Sequence, residues 1–202
     1  MACQVPEPRR GKASVRGVEM IVVSQNVLKY DIELPEGAFL RLNLAWHYNL
    51  KSAKKLLYEY EGYEIFLDVP MGRKKPPNFT HEINDIMALV ANFSNIEYVA
   101  ISNIENSGQV IYYQGLFSRV KIVPKIETYI GIRNARDIIE ALNYKDKVIM
   151  LDHQDLYSDL VSMGREKEYL ELVVGLEVMC RRLGGCLLRT VGVVFSEWKD
   201  KP

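Results

Sequence analysis

Short apolar runs alternate with segments of helical spacing along most of the chain. Residues 20–23 (MIVV) are β-branched and bounded by polar positions, which predicts a strand. Residues 39–44 (FLRLNL) alternate and predict a second. Within 51–60, Ala53, Leu56, Leu57 and Tyr60 fall at helical spacing, with lysines on the other face. Residues 64–69 (EIFLDV) form a third predicted strand, stopped by Pro70. Thr80 is placed to cap a helix carrying Ile83, Ile86, Met87, Val90 and Phe93. The alternation continues with predicted strands at 97–102, 121–126 and 147–151, and predicted helices at 134–142 and 166–183. Asn106-Ser107-Gly108 reads as a turn. Residues 110–117 (VIYYQGLF) are ambiguous: their place in the alternation asks for a helix, while Val, Ile and Tyr favour a strand. Two further strand-like runs, 186–190 and 191–195, follow with almost nothing between them.

Strands alternating with helices every 25 to 30 residues or so imply the α/β class with a parallel sheet. An open nucleotide-binding sheet would carry a glycine-rich turn after the first strand. Here Ser24-Gln25-Asn26 follows it, and neither GxGxxG nor GxxxxGK[ST] occurs anywhere. The expectation is therefore a (β/α)8 TIM-type barrel. About 180 residues are available where about 250 are usual, so the barrel should be abbreviated at its C-terminal end or completed by a neighbouring chain. Residues 18–202 are expected to form this single domain. Residues 1–17, with Pro6, Pro8, Arg9, Arg10, Lys12 and Arg16, read as a disordered basic arm.

Composition narrows the picture further. The 26 basic and 26 acidic side chains balance, which argues against a nucleic-acid partner. No apolar run approaches the roughly 20 residues needed to span a bilayer, so no membrane partner is expected. Cys3, Cys180 and Cys186 are too few and too badly spaced for a disulfide framework or a zinc site, which fits a cytoplasmic setting. The last two read as small buried hydrophobes. Arg73-Lys74-Lys75 reads as a solvated charge run.

In a parallel barrel the reactive groups gather at the C-terminal ends of the strands. Those ends carry Arg41, Asn43 and His47; Asp68; Ser102 and Asn103; Lys125 and Glu127; and Asp152-His153-Gln154-Asp155. Lys125 and Glu127 are two residues apart and share a strand face. Glu127 and Asp155 lie about one βα unit apart and can meet at the mouth. Two converging carboxylates suit Mg2+ or Mn2+, since hard cations prefer oxygen ligands. Lys125 reads equally as an ion-pair partner of Glu127 or Asp68, and Arg41 as an ion-pair partner in the barrel interior. His47 and His153 read more readily as ordinary structural histidines than as bases.

The stretch from Lys125-Ile126-Glu127-Thr128 through Val148-Ile149-Met150 to Asp155-Leu156 resembles the phosphoenolpyruvate/pyruvate barrel superfamily. Its members include pyruvate kinase, the HpcH/HpaI-type aldolases and the citrate-lyase β-subunit relatives. Arg41-Leu-Asn43-Leu-Ala45-Trp-His47 is similar to the strand-two motif of pyruvate kinase, with alanine replacing a serine. Phe66-Leu67-Asp68-Val69-Pro70 resembles its strand-three stretch, and Lys125 sits at the position of its catalytic lysine. Asp155-Leu156-Tyr157-Ser158 and Cys180-Arg181-Arg182-Leu183-Gly184 look more like the aldolase branch.

The resemblance implies a metal held by Glu127 and Asp155 and a 2-oxo acid substrate that reacts through a metal-bound enolate. Arg41, Asn43, Asp68 and Ser102 would bind the substrate. Lys125, with a pKa lowered by the metal, would move a proton or stabilise the enolate, and His47 or His153 would act as base. The departures weigh as much. Only about ten residues separate Asp68 from Thr80, so no lid domain is present. His153-Gln154 stand where the family has Arg-Gly, so bulkier residues replace the glycine backbone that could approach a substrate carboxylate. ADP phosphorylation is therefore disfavoured, and carbon–carbon lyase or aldolase chemistry is the leading expectation. A non-catalytic barrel serving as a binding or assembly partner is the alternative, and a reduced phosphotransferase a second. Apolar surface left by the truncated end also predicts a homo-oligomer.

Overall fold

The computed structural model describes residues 20–30, 34–72, 77 and 79–189. The expected arm at 1–17, the charge run at 73–75 and the last strand-like run at 191–195 lie outside them. Seven strands form one all-parallel sheet in sequential order: β1 (Val22–Ser24), β2 (Phe39–Asn43), β3 (Ile65–Val69), β4 (Ile96–Ile101), β5 (Lys121–Ile126), β6 (Lys147–Leu151) and β7 (Gly185–Arg189). Among the described residues β1 pairs only with β2 and β7 only with β6, so the curled sheet stays open, in keeping with an abbreviated barrel. Parallel neighbours need crossovers. These are α1 (Leu50–Glu59), α2 (Ile83–Asn92), α3 (Ser107–Leu116), the pair α4 (Tyr129–Arg133) and α5 (Ala135–Glu140), and the pair α6 (His153–Ser162) and α7 (Tyr169–Arg182). The first crossover is only a 3-10 helix, Gln25–Lys29.

Pro124 has no N–H to give to a ladder. It stands where β5 changes partners: pairing with β4 ends at Ile101–Pro124, and pairing with β6 begins at Lys125–Met150.

Period-two alternation divides each strand between two faces. The outer face, with Leu40, Leu42, Ile65, Leu67, Val99, Ile122, Ile149 and Leu151, packs against helix residues such as Leu57, Leu89, Val110, Ile138, Leu156 and Val173. The concave face builds a separate cluster made from strand residues alone: Phe66, Tyr98, Ala100, Val123, Val148 and Met150, with Phe39 and Leu188 at its margins. Tyr98 meets Phe39 edge-on with ring centres 5.2 Å apart and stacks on Phe66 at 6.0 Å. Two residues further along the same strands stand Arg41, Asp68 and Lys125, on the same concave face. The bottom of the bowl is thus apolar and its top charged.

Several local expectations change. Residues 110–117 are helical, as α3: Asn106 accepts from the Gln109 amide while the Gln109 side chain accepts from the Asn106 amide, a capping box that outweighs the strand propensity of the interior. Thr80 does not cap α2; Glu82 precedes its first turn without a side-chain cap. The expected helix at 134–142 starts earlier, at Tyr129, and is broken into α4 and α5 at Asn134. The expected helix at 166–183 opens with a 3-10 turn, Glu166–Glu168. Residues 153–155 do not end a strand but begin α6, whose buried Leu156 and Leu160 are four apart. Cys180 is buried in the outer core, where burial pushes its thiol up to about 12, and Cys186 is half-buried.

Candidate functional site

The C-terminal ends of β2 to β5 carry a connected set of charges. Asp68, fully enclosed on β3, accepts from Arg41 Nε at 3.0 Å and from Arg41 Nη2 at Oδ2, and from Lys125 Nζ at 3.1 Å at Oδ1. Lys125 spends its other two N–H groups on Ser102 Oγ at 2.9 Å and Glu127 Oε1 at 3.1 Å. Ser102 passes its own proton toward Glu127 Oε1 at 3.4 Å. The second oxygen of Glu127 accepts the Asn103 amide at 2.8 Å. Burial alone would raise the Asp68 pKa, but Lys125 and Arg41 outweigh it and hold the carboxyl below its ordinary range.

Lys125 departs from expectation. Burial opposes its charge, yet Asp68 and then Glu127 outweigh burial and the nearby Arg41, so its pKa is raised rather than lowered. With all three donors matched, the ammonium is a fixed positive charge in this network. Glu127 shows the reverse balance: burial raises its pKa despite Lys125 and the Asn103 amide, and Asp152 adds to the rise.

Glu127 also belongs to an acidic group. One ligand oxygen each from Glu127, Asp152 and Asp155 can be chosen so that all lie within 4.8 Å of one another. Glu127 follows β5, Asp152 follows β6, and Asp155 sits in the first turn of α6. Asp152 is the N-cap of α6, accepting from the Gln154 and Asp155 amides at 3.1 and 3.2 Å. Acidic groups are favoured at that helix end in any case. The donor chemistry nonetheless fits a hard divalent cation: three carboxylates, one of them buried.

The loop carrying Glu127 is held on both sides. Thr128 caps α4, accepting from Gly131 N at 3.1 Å, and donates to Glu105 at 2.9 Å. The Tyr129 amide donates to Asp159 of α6 at 2.7 Å. Gly131 has no room for a side chain: a Cβ would stand 2.7 Å from the Ile104 carbonyl.

The remaining expected site residues lie in structural roles. Asn43 caps a 3-10 turn, accepting from the Ala45 amide at 2.9 Å. His47 is buried and uses both ring nitrogens, Nδ1 on Ser52 Oγ at 2.9 Å and Nε2 on Gln25 Nε2 at 3.2 Å. Gln25 Oε1 accepts the Asn43 amide at 2.8 Å, which fixes its Nε2 as the donor to the imidazole. His47 is therefore the neutral Nδ1–H tautomer, and burial followed by His81 lowers its pKa. Its ring ties the 3-10 helix after β1 to the segment after β2 and to α1. His153 opens α6, with Nδ1 on the Tyr169 hydroxyl, and its pKa is lowered by burial and by Arg189.

Asp152 and Asn103 both stand among the strand-end polar residues, but the sequence marks neither as part of the acidic site; for Asp152 the signal is the helix that starts directly after it. Asn103 is the one described non-glycine residue with positive φ, at 57°. That conformation aims its amide at Glu127 while its Nδ2 donates to the Met71 carbonyl at 2.7 Å.

No protein-family model matches the sequence, and no curated protein matches it. Solved structures do. The chain is similar to RipC from Yersinia pestis, with a TM-score of 0.60 and 14% identity over 88% of this chain and 77% of that one. It is also similar to the citrate synthase SbnG, with a TM-score of 0.55 and 13% identity over 75% of this chain and 67% of that one. At such identities the likeness is one of fold.

Proposed function

We propose that this chain is an abbreviated (β/α)8 barrel that acts as a divalent-metal-dependent aldolase or lyase on a 2-oxo acid such as pyruvate or oxaloacetate. The observation that carries the reading is the meeting of Glu127, Asp152 and Asp155 beside the fixed cations Lys125 and Arg41 at the C-terminal rim. The likeness in fold to a citrate synthase agrees with it. Glu127 and Asp155, with Asp152, would hold Mg2+ or Mn2+. When bound, such a cation supplies a Lewis acid that favours enolate formation at a 2-oxo acid.

The protein's own contribution is charge and position. Arg41, partly exposed at 22% of its side chain and oriented by Asp68, presents a guanidinium to a substrate carboxylate. Lys125 keeps its proton and lends positive charge where negative charge develops. Asp68 and Ser102, enclosed by these cations, orient them instead of touching the ligand. Of the two histidines, His153 is the one beside the acidic group, following Asp152 in the chain with Nδ1 on Tyr169, whereas His47 holds Ser52 and Gln25. Among the described residues no helix is long and apolar enough to cross a membrane. A cytoplasmic setting fits the scattered cysteines.

A second reading has its own support. Every donor of Lys125 is matched inside the protein, as in a purely structural ion cluster, which favours a non-catalytic binding or assembly barrel. Enolisation separates the two without knowledge of the second substrate. Pyruvate in D2O with Mg2+ should lose its methyl proton signal faster with the protein than without, and Glu127→Gln should remove the acceleration. Exchange at the metal-only rate for pyruvate and oxaloacetate alike would leave the non-catalytic reading.

A further inference from the structure

We propose that the outward face of α7 is the contact between two copies of this chain, packed antiparallel about a twofold axis level with Leu176. Leu170, Val174 and Val178 recur every four residues along that face and are 73%, 58% and 40% exposed. Val173, Leu176 and Cys180 on the opposite face are buried in the chain's own core, so the helix is anchored and its exposed stripe is additional. Among the described residues nothing packs on the stripe. Isolated exposed apolar residues are ordinary; three in register on one helix are the pattern of a contact surface.

Gly175 adds a separate observation. Glycine is a poor choice in a helix interior, and a Cβ here would meet nothing within 4 Å. Packing among the described residues therefore does not demand it, and its missing side chain leaves room for a second helix to lie close across α7.

Charge selects the occupant. The N-terminal part of the exposed face carries Glu171; towards the C-terminal end Arg181 is paired with Glu177 of its own helix, which leaves Arg182 as the cation facing outward. A second copy in antiparallel orientation brings Val174 level with Val178 of the other copy, and Glu171 close to its Arg182. A parallel copy would set like charges together. The surface is thus complementary to itself under a twofold axis, as an isologous dimer requires.

Sedimentation of the full chain from roughly 0.1 to 100 µM, a range that brackets ordinary dimer affinities, tests this. A monomer–dimer equilibrium is expected. Val174→Lys should raise its dissociation constant at least tenfold with an unchanged melting temperature, since the side chain is exposed. Glu171→Arg and Arg182→Glu should each weaken the dimer, and the double variant should recover most of the loss. A monomer at every concentration overturns the proposal, as does a dimer indifferent to Val174→Lys. A monomeric wild type that Val174→Lys destabilises would show that residues 190–202 of the same chain cover the face. Failure of the double variant to recover would overturn the antiparallel arrangement.

Discussion

The two sides of the bowl's rim differ in how their charges are settled. On the β2–β5 side, Arg41 and Lys125 face Asp68 and Glu127. The cations and anions are equal in number, mostly buried, and joined by hydrogen bonds. On the β6–α6 side, Asp152 and Asp155 add two carboxylates, both only half-buried, with the helix end as their common support. Glu127 belongs to both sides. The first side pairs cations with anions and so fixes side chains in place; the second brings together three carboxylate oxygens close enough for one cation to share.

The largest effects should come from breaking the matched side. Asp68→Asn leaves Arg41 and Lys125 without their shared buried partner, and urea unfolding should show a loss of about 3–5 kcal/mol. The same residue predicts the acid limb. Because the folded Asp68 carboxyl lies below its ordinary value, it binds its proton less tightly in the fold than in the unfolded chain. Its stabilisation is complete above about pH 4, the ordinary carboxylate range, and fades as pH falls through the folded value. Asp68→Asn should flatten that limb of the stability profile.

Lys125→Met sharpens the contrast between the sides. It should cost about 3 kcal/mol, because Glu127 is left buried without its nearest cation. Yet it should bind Mn2+ at least as tightly as the wild type, since an ammonium 3.1 Å from a ligand oxygen is removed. Weaker Mn2+ binding would mean that Lys125 arranges the site instead of competing for it.

The smallest effect lies on the open side. Asp152→Ala should destabilise by about 1 kcal/mol through loss of the α6 cap, whereas Asp152→Asn keeps the cap and should be nearly neutral in unfolding experiments. Both should weaken Mn2+ binding. If only the alanine variant did so, Asp152 would matter as a cap and not as a ligand.

What the sequence made legible was whatever depends on local pattern. β5 and β6 fall where apolar β-branched runs place them, and the pairing of Lys125 with Asp68 and Glu127 was one of two open readings because strand parity puts them on one face. What escaped was capping and long-range register. The Asn106–Gln109 box was visible as a turn but not as a helix start. The beginning of α6 at His153 is not legible, because a polar run after an apolar strand reads equally as the strand's end, and that ambiguity hides the place of Asp152 in the acidic group. The raised pKa of Lys125 was not legible either, since it depends on Asp68 arriving from a strand two places away in the sheet, 57 residues earlier in the chain.

The central claim is that Glu127, Asp152 and Asp155 hold one divalent cation. Calorimetric titration of the full chain with Mn2+ at pH 7, with and without oxalate, tests it most directly. The account predicts one saturable site, tightened by oxalate and abolished by Glu127→Gln, with thermal stabilisation of about 2.7 kcal/mol once free Mn2+ reaches a hundred times its dissociation constant. Absence of saturable binding, or a site that Glu127→Gln leaves intact, would contradict it.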